Sequence, residues 1–342
     1  VVTLGFGAGG CLWYLSPSAK VVGKTGFRNL KMTILALIIA LALEQFRPLS
    51  NRNLFTLAFV RLANQLERGL NAGEYRNGVG AWLVLVLPLL IISFVVYVLL
   101  CRVNVGFALF WNVAILYLTM GFRQFSHAFS GISKALQADD LDTARALLSD
   151  WNGQHAAEMS ADEVSKVAIE QGLADSYRYV FGTLFWFVVL AWFVGPAGAL
   201  LYRAASLLAQ KWGRSSGPFG QFAVTALEML DYLPVRLTAS SFAIMGNFED
   251  AVYCWRTQAQ SWADYIDGIL LSSGAGAIGV RLGDTLHQDH TVKFRPELGV
   301  GDAASPDYLA SAVGLIWRTA ILWIAIVLLF SLGSWLGAVA IL

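Results

Sequence analysis

The sequence predicts an all-α, polytopic integral membrane protein with a cytoplasmic helical segment and re-entrant or interfacial helices. Three observations predict it. Of 342 residues, 57% are hydrophobic and 14% charged, where soluble domains carry about 25% charge. Several uncharged runs approach or exceed the ~20 residues that cross a hydrocarbon core. Between them, apolar residues recur at helical intervals. The balance of 24 Lys+Arg against 23 Asp+Glu excludes an electrostatic nucleic-acid binder, and the hydrophobicity excludes a disordered chain. Cys11, Cys101 and Cys254 share no close spacing, so they form neither a disulfide framework nor a metal knuckle.

Residues 1–31 combine a Gly-rich apolar stretch with a basic run, Lys20, Lys24, Arg28 and Lys31. They read as an upstream extension, with Met32 as the natural start. Region 32–122 is an N-terminal membrane region. It opens with Met32–Leu43, a short apolar helix closed at Pro48. Gly80–Cys101 then runs without a charge, and its Pro88 is tolerable in lipid as a kink. Gly106–Phe122 follows after four residues, so the two read as a tight transmembrane hairpin.

Arg47, Arg52, Arg61, Arg68 and Arg76 precede that hairpin, and Arg123, Lys134, Arg145, Lys166 and Arg178 follow it. Basic loops stay in the cytoplasm, so both are placed there. Region 123–178 is a helical segment on that side. Phe129, Ile132, Leu136, Leu141, Ala144 and Leu148 mark its inner face. Asp139 and Asp140 start one helix, where acids suit the positive helix end. Ser160 and Glu163 form a capping box for another. The remaining charges read as a solvated face.

Region 179–284 is more complex. Tyr179–Tyr202 is long enough to cross but is interrupted at Gly195-Pro196-Ala197-Gly198. Bare backbone at membrane depth must be covered by protein, so a re-entrant helix pair is expected. Ala223–Gly246 carries Glu228, Asp231 and Arg236 around Pro234. Charges in so apolar a setting pair with one another or line a cavity. Ser272–Asp284 is a run of small residues with Arg281, without the Lys-Ser/Thr of a phosphate-binding P-loop. Residues 285–311 have loop texture, and His287 and His290 within them read as solvated, so no metal site is expected. Region 312–342 is the C-terminal transmembrane helix, and Gly333 and Gly337 in it are read as a packing face.

Several of these stretches, taken in order, resemble the CobD/CbiB family of cobalamin-biosynthesis membrane proteins, a superfamily that includes AmpE. They are FRQFSHAFSGISKALQADDLDTARALLSDW with ADEVSKVAIE between 122 and 170, GPAGALLYR at 195–203, LDYLPVRLTA at 230–239 and GAGAIGVRLGD at 274–284. The resemblance implies a multi-pass protein of the bacterial inner membrane. It implies an ATP-dependent corrinoid amide ligase of the adenosylcobinamide-phosphate synthase type, joining an aminopropanol or its phosphate to a corrinoid carboxylate. ATP and Mg²⁺ would be its cofactors, and the lipid bilayer, a corrinoid and a membrane or cytoplasmic protein its partners. Glu170, Tyr202, Arg203, Pro234, Arg236 and Arg281 match family positions.

Other polar positions depart from the family pattern. Its Arg-Asp-Thr turn is Gln154-His155-Ala156 here, its later Asp is Arg178, and an Asn and Asp after the Tyr-Arg pair are Ser206 and Ala209. Its paired Asp before the proline is Leu227-Glu228, and its Asn is Asp231. That pattern implies a retained scaffold with altered chemistry, with an AmpE-like, non-catalytic signalling or regulatory protein as the rival reading. The expected polar pocket comprises Glu170, Tyr202, Arg203, Glu228, Asp231, Arg236 and Arg281, with Arg236 reaching Asp231 across a proline break.

Overall fold

The computed structural model describes residues 32–44, 46, 54–153, 155–213, 216–288 and 291–340. The upstream extension at 1–31, the Arg47-Pro48 turn and His290 lie outside the described residues. Among the described residues the fold is almost wholly helical. The N-terminal part comprises α1 (Met32–Glu44), α2 (Leu54–Leu70), α3 (Tyr75–Val103) and α4 (Val105–Thr119). A three-helix segment follows, α5 (Phe122–Gln137), α6 (Leu141–Asn152) and α7 (Ala161–Ser176). A π-helical turn, Tyr177–Phe181, joins α7 to α8 (Gly182–Val194), and α9 (Ala197–Trp212) and α10 (Pro218–Met245) come next. Then come α11 (Phe248–Gln258), α12 (Tyr265–Ile278) and the long α13 (Tyr308–Ala340).

Local chemistry explains the boundaries. Asp140 caps α6 by accepting from the Thr143 N–H, and Gly153 in the left-handed region closes it. Ser160 and Glu163 form the reciprocal capping box of α7, as the sequence pattern predicts. Asn104 both ends α3 and caps α4 by accepting from the Gly106 N–H, which explains how two apolar helices turn on a single residue.

The centre of the molecule is α12. Every residue from Gly268 to Ala277 is buried, with α7, α10, α11 and α13 packed around it. A helix enclosed on all sides needs small residues wherever a neighbour's backbone approaches. Gly276 is one such place, since a Cβ there would meet the Asp250 carbonyl at 2.6 Å. Within α12 the small-residue run is therefore a packing device, and Gly274 and Gly276 face protein.

Several expectations are corrected here. The charges of the polar middle do not all sit on a solvated face: α7 is buried through Glu163, Glu170 and Asp175, because the chain after α12 folds over it. Pro234 does not break the chain. It lies inside the continuous α10, and Thr238 Oγ1 donates to its carbonyl at 2.8 Å, so Arg236 cannot fold back onto Asp231. Residues 285–311 are not wholly loop. β2 (Leu286–Gln288) and β3 (Thr291–Lys293) form an antiparallel hairpin. β1 (Val280–Arg281) pairs in parallel with β4 (Asp302–Ala303).

Two helices, α3 and α13, are long and apolar enough to cross a membrane. Their outward faces are apolar, with Val84, Ile91, Ile92, Ile321 and Leu329 each more than half exposed. At 15 residues α4 extends only about 22 Å, short of a ~30 Å core, so it is the shorter arm of the hairpin it makes with α3. The Gly195–Pro196 break separates α8 from α9, which pack against each other. At the end of α13, Gly333 faces open space, and the surroundings of Gly337 lie outside the described residues.

Candidate functional site

Four chain segments bring polar groups together beneath α12. They are the end of α7 with the π-helical turn, the middle of α9, the middle of α10 and the start of α12. A π-turn widens the helix and is frequent at functional sites. Here it rotates Tyr177, Arg178 and Tyr179 out of the α-helical pattern.

Asp231, on α10, accepts the hydroxyls of Tyr177 at 2.6 Å and Tyr202 at 2.8 Å on the same oxygen, Oδ1. Burial pushes its carboxyl up to about 7, against the opposing pull of the two tyrosine donors and Arg178. Burial also raises the Tyr177 hydroxyl, with Tyr202 and Asp231 adding to it. The Arg178 guanidinium bonds both oxygens of Asp267 at 2.8 Å. Burial opposes its charge, but Asp267 and Asp175 outweigh that and hold it charged. Asp175 accepts from Trp151 Nε1 at 2.9 Å and Gln171 Nε2 at 3.0 Å. Burial raises its carboxyl against these donors and the fields of Arg178 and Arg203. Arg203 is 6% exposed, and its guanidinium lies 4.7 Å from the centre of the Tyr179 ring.

A second cluster pins the segment after α12 to α7. Glu163, Lys166 and Glu170 lie on one face of α7, three to four residues apart. Glu170 accepts from Arg295 at 2.6 Å and from the Gly283 N–H at 2.8 Å. Lys166 stands 4.0 Å from Asp284. Glu163 Oε1 takes the His287 N–H at 2.9 Å and contacts His287 Nδ1 at 2.8 Å. Burial alone would raise the Glu163 carboxyl, but the Ser160 and His287 donors bring it down to about 2.

The expected pocket thus divides. Tyr202, Arg203 and Asp231 come together in the first cluster, and Glu170 belongs to the second. Glu228 is exposed on α10. Arg236 stacks on Tyr232, 3.9 Å from the ring centre, and bonds the carbonyl of that residue. Arg281 is exposed and pairs with Glu297 at 3.2 Å. Sequence reasoning missed Asp175, Tyr177, Tyr179, Asp267 and Arg295 as site residues, and it noted Arg178 only as a departure. The available signal was the polar Asp175-Ser-Tyr-Arg-Tyr179 run just before an apolar helix.

These carboxylates are already committed to tyrosine, tryptophan, glutamine or arginine donors. Among the described residues, no group of three His, Cys, Asp or Glu side chains could hold a metal ion. A preassembled carboxylate cage for Mg²⁺ is therefore not what this site offers. Mg²⁺ commonly binds through one or two carboxylates and the phosphates of its partner, so the arrangement fits that ion only alongside a bound nucleotide.

Comparison with known proteins gives a consistent result. Residues 34–316 match the family described as CobD/Cbib protein. A "Cobalamin biosynthesis protein CobD" of Stutzerimonas stutzeri is 33% identical over 311 residues, covering 89% of this chain and 99% of that protein. A protein of the same description from Chromobacterium violaceum is 36% identical over 217 residues, 63% of this chain and 68% of that protein. One from Synechocystis is 29% identical over 216 residues, 58% of this chain and 60% of its own length. No solved structure matches the chain.

Proposed function

The chain belongs to the CobD/CbiB family, and from that membership we propose that it acts in cobalamin biosynthesis as a multi-pass protein of the bacterial inner membrane. The finer reading is amide synthesis, joining the amine of an aminopropanol, or its phosphate ester, to a carboxylate of a corrinoid. The observation that carries it is the match to a CobD protein over 99% of that protein's length. A match of that extent favours the enzymatic reading over an AmpE-like regulatory one.

Amide formation has two requirements, a leaving group on the carboxylate and a base for the proton of the attacking amine. ATP, when bound, supplies the first. Asp231 suits the second. Its carboxyl is buried and sits near neutrality, where a base both holds and releases a proton readily. Tyr177 and Tyr202 fix the orientation of its Oδ1. Arg178 and Asp267 pair with each other and so keep a charged wall beside it.

Complementation tests this reading. In a bacterial strain lacking its own family member, this chain is expected to restore cobalamin-dependent growth, and Asp231→Asn to reduce that rescue at equal accumulation. Normal accumulation in the membrane without rescue would move the assignment to the AmpE-like role.

A further inference from the structure

Arg203 and Ser206 lie one helical turn apart on α9, so their side chains share a face. Both are buried, at 6% and 1% exposure. Both also lack hydrogen-bond partners: Arg203 Nε and Nη1 and Ser206 Oγ reach no acceptor or donor. The acids of the cluster do not serve: Asp175 accepts from Trp151 and Gln171, Asp231 from Tyr177 and Tyr202, and Asp267 from Arg178. Tyr179 covers a face of the guanidinium, but a ring on the face leaves the in-plane N–H donors unsatisfied. Buried guanidinium donors without an acceptor are expensive. Two adjacent orphans of donor character make the same demand, for an oxygen-rich anion.

We propose that Arg203 and Ser206 form a binding site for a phosphate or carboxylate group. Guanidinium suits both, because its planar donors match their oxygens, and the serine hydroxyl supplies a further donor. The proposal rests on the family reading only for the owner of that group: a soluble phosphate ester or carboxylate in one case, a lipid headgroup in the other.

The test uses the full chain in nanodiscs, with thermal unfolding as the readout. In phosphatidylcholine discs, inorganic phosphate is compared with chloride at matched ionic strength. In a second arm, phosphatidic acid replaces part of the phosphatidylcholine and no phosphate is added. Stabilisation in the first arm indicates a soluble owner, and stabilisation in the second alone indicates a lipid. In whichever arm responds, Arg203→Gln is expected to weaken the apparent affinity about tenfold or more, and Ser206→Ala less. Without anion, Arg203→Gln should unfold at the same temperature as the parent or higher, because removing buried donors that have no acceptor outweighs the lost attraction to Asp175 and Tyr179. No response in either arm overturns the proposal. So does an equal response in Arg203→Gln, or a variant destabilised without anion, which marks a structural arginine. If Arg203→Gln does not accumulate, that also marks a structural arginine, and Ser206→Ala must still weaken the response or the site is refuted. Growth rescue is scored separately, so a chain that binds phosphate and fails to complement would refute the amide reading and leave this site standing.

Discussion

Asp231 sits where water cannot solvate its charge, and that burial outweighs the two phenolic hydroxyls donated to one of its oxygens, so the folded protein holds a proton that the unfolded chain gives up. Its carboxyl moves from 3.8 unfolded to about 7 folded. A raised carboxyl contributes most below the unfolded value and loses that contribution as pH rises through the folded one. The span is on the order of 4 kcal/mol. Melting temperature should therefore fall between pH 4 and 7, and the Asp231→Asn variant should lack that part of the slope. Parallel melts across that range check this, and an unchanged slope in the variant would refute the assignment. Glu163 runs the other way. Its carboxyl is held at about 2, so its stabilisation is present above the usual carboxylate range and fades as pH falls toward 2. Glu163→Gln keeps one acceptor oxygen for the donors of Ser160 and His287, and should cost about 1–2 kcal/mol in denaturant unfolding at neutral pH. At this scale the sequence pattern grouped Tyr202, Arg203 and Asp231, which the fold brings into one buried polar cluster. Arg236 and Arg281 were misplaced because identity and spacing do not reveal that Arg236 wraps onto its own helix or that Arg281 finds Glu297.

Helices α8 and α9 fold back on each other at Gly195–Pro196, and they pack closely because Gly198 carries no side chain. A Cβ at Gly198 would run into the Trp186 carbonyl of α8. Backbone cannot yield as a flexible side chain can. Gly198→Ala should therefore cost about 1–3 kcal/mol, seen as a lower melting temperature of the solubilised protein. A neutral result would mean that the two helices are less closely apposed. The break itself was legible, since glycine and proline interrupt an otherwise continuous apolar run. Pro234 was misread because the same residue inside a long helix can be absorbed when another side chain, here Trp186 through Nε1 at 3.1 Å, donates to the Leu230 carbonyl that the proline leaves unpaired. The buried α7 was also missed. Its acids looked solvated because their partners, Gly283, His287 and Arg295, lie more than a hundred residues away in sequence.

The arrangement of the whole chain follows from where its charges sit. The three-helix segment and the region after α9 both contribute to one packed core around α12. A bilayer cannot separate parts of one such core, so both should face the same side, and the flanking arginines predict that side to be the cytoplasm. Asp142→Cys and Glu249→Cys place reporters on exposed positions of the two regions. Cys11 and Cys101 are replaced by serine. Cys254 can stay, because burial pushes its thiol up to about 11 and keeps it unreactive. Both reporters should label in inverted vesicles and neither from outside intact cells, and labelling from opposite sides would refute the shared orientation. Composition pointed to the membrane class, which two helices long and apolar enough to cross support, while the central position of α12 depends on long-range packing that no local pattern encodes. The most direct measurement of the central claim is the product itself. The full chain in nanodiscs is incubated with a corrinoid carboxylic acid, an aminopropanol or its phosphate, and ATP with Mg²⁺, and the corrinoid is weighed by mass spectrometry. The account predicts a corrinoid heavier by the amine less one water, dependent on ATP and diminished in Asp231→Asn. An unchanged corrinoid mass from folded protein, with both amines tried, would contradict it.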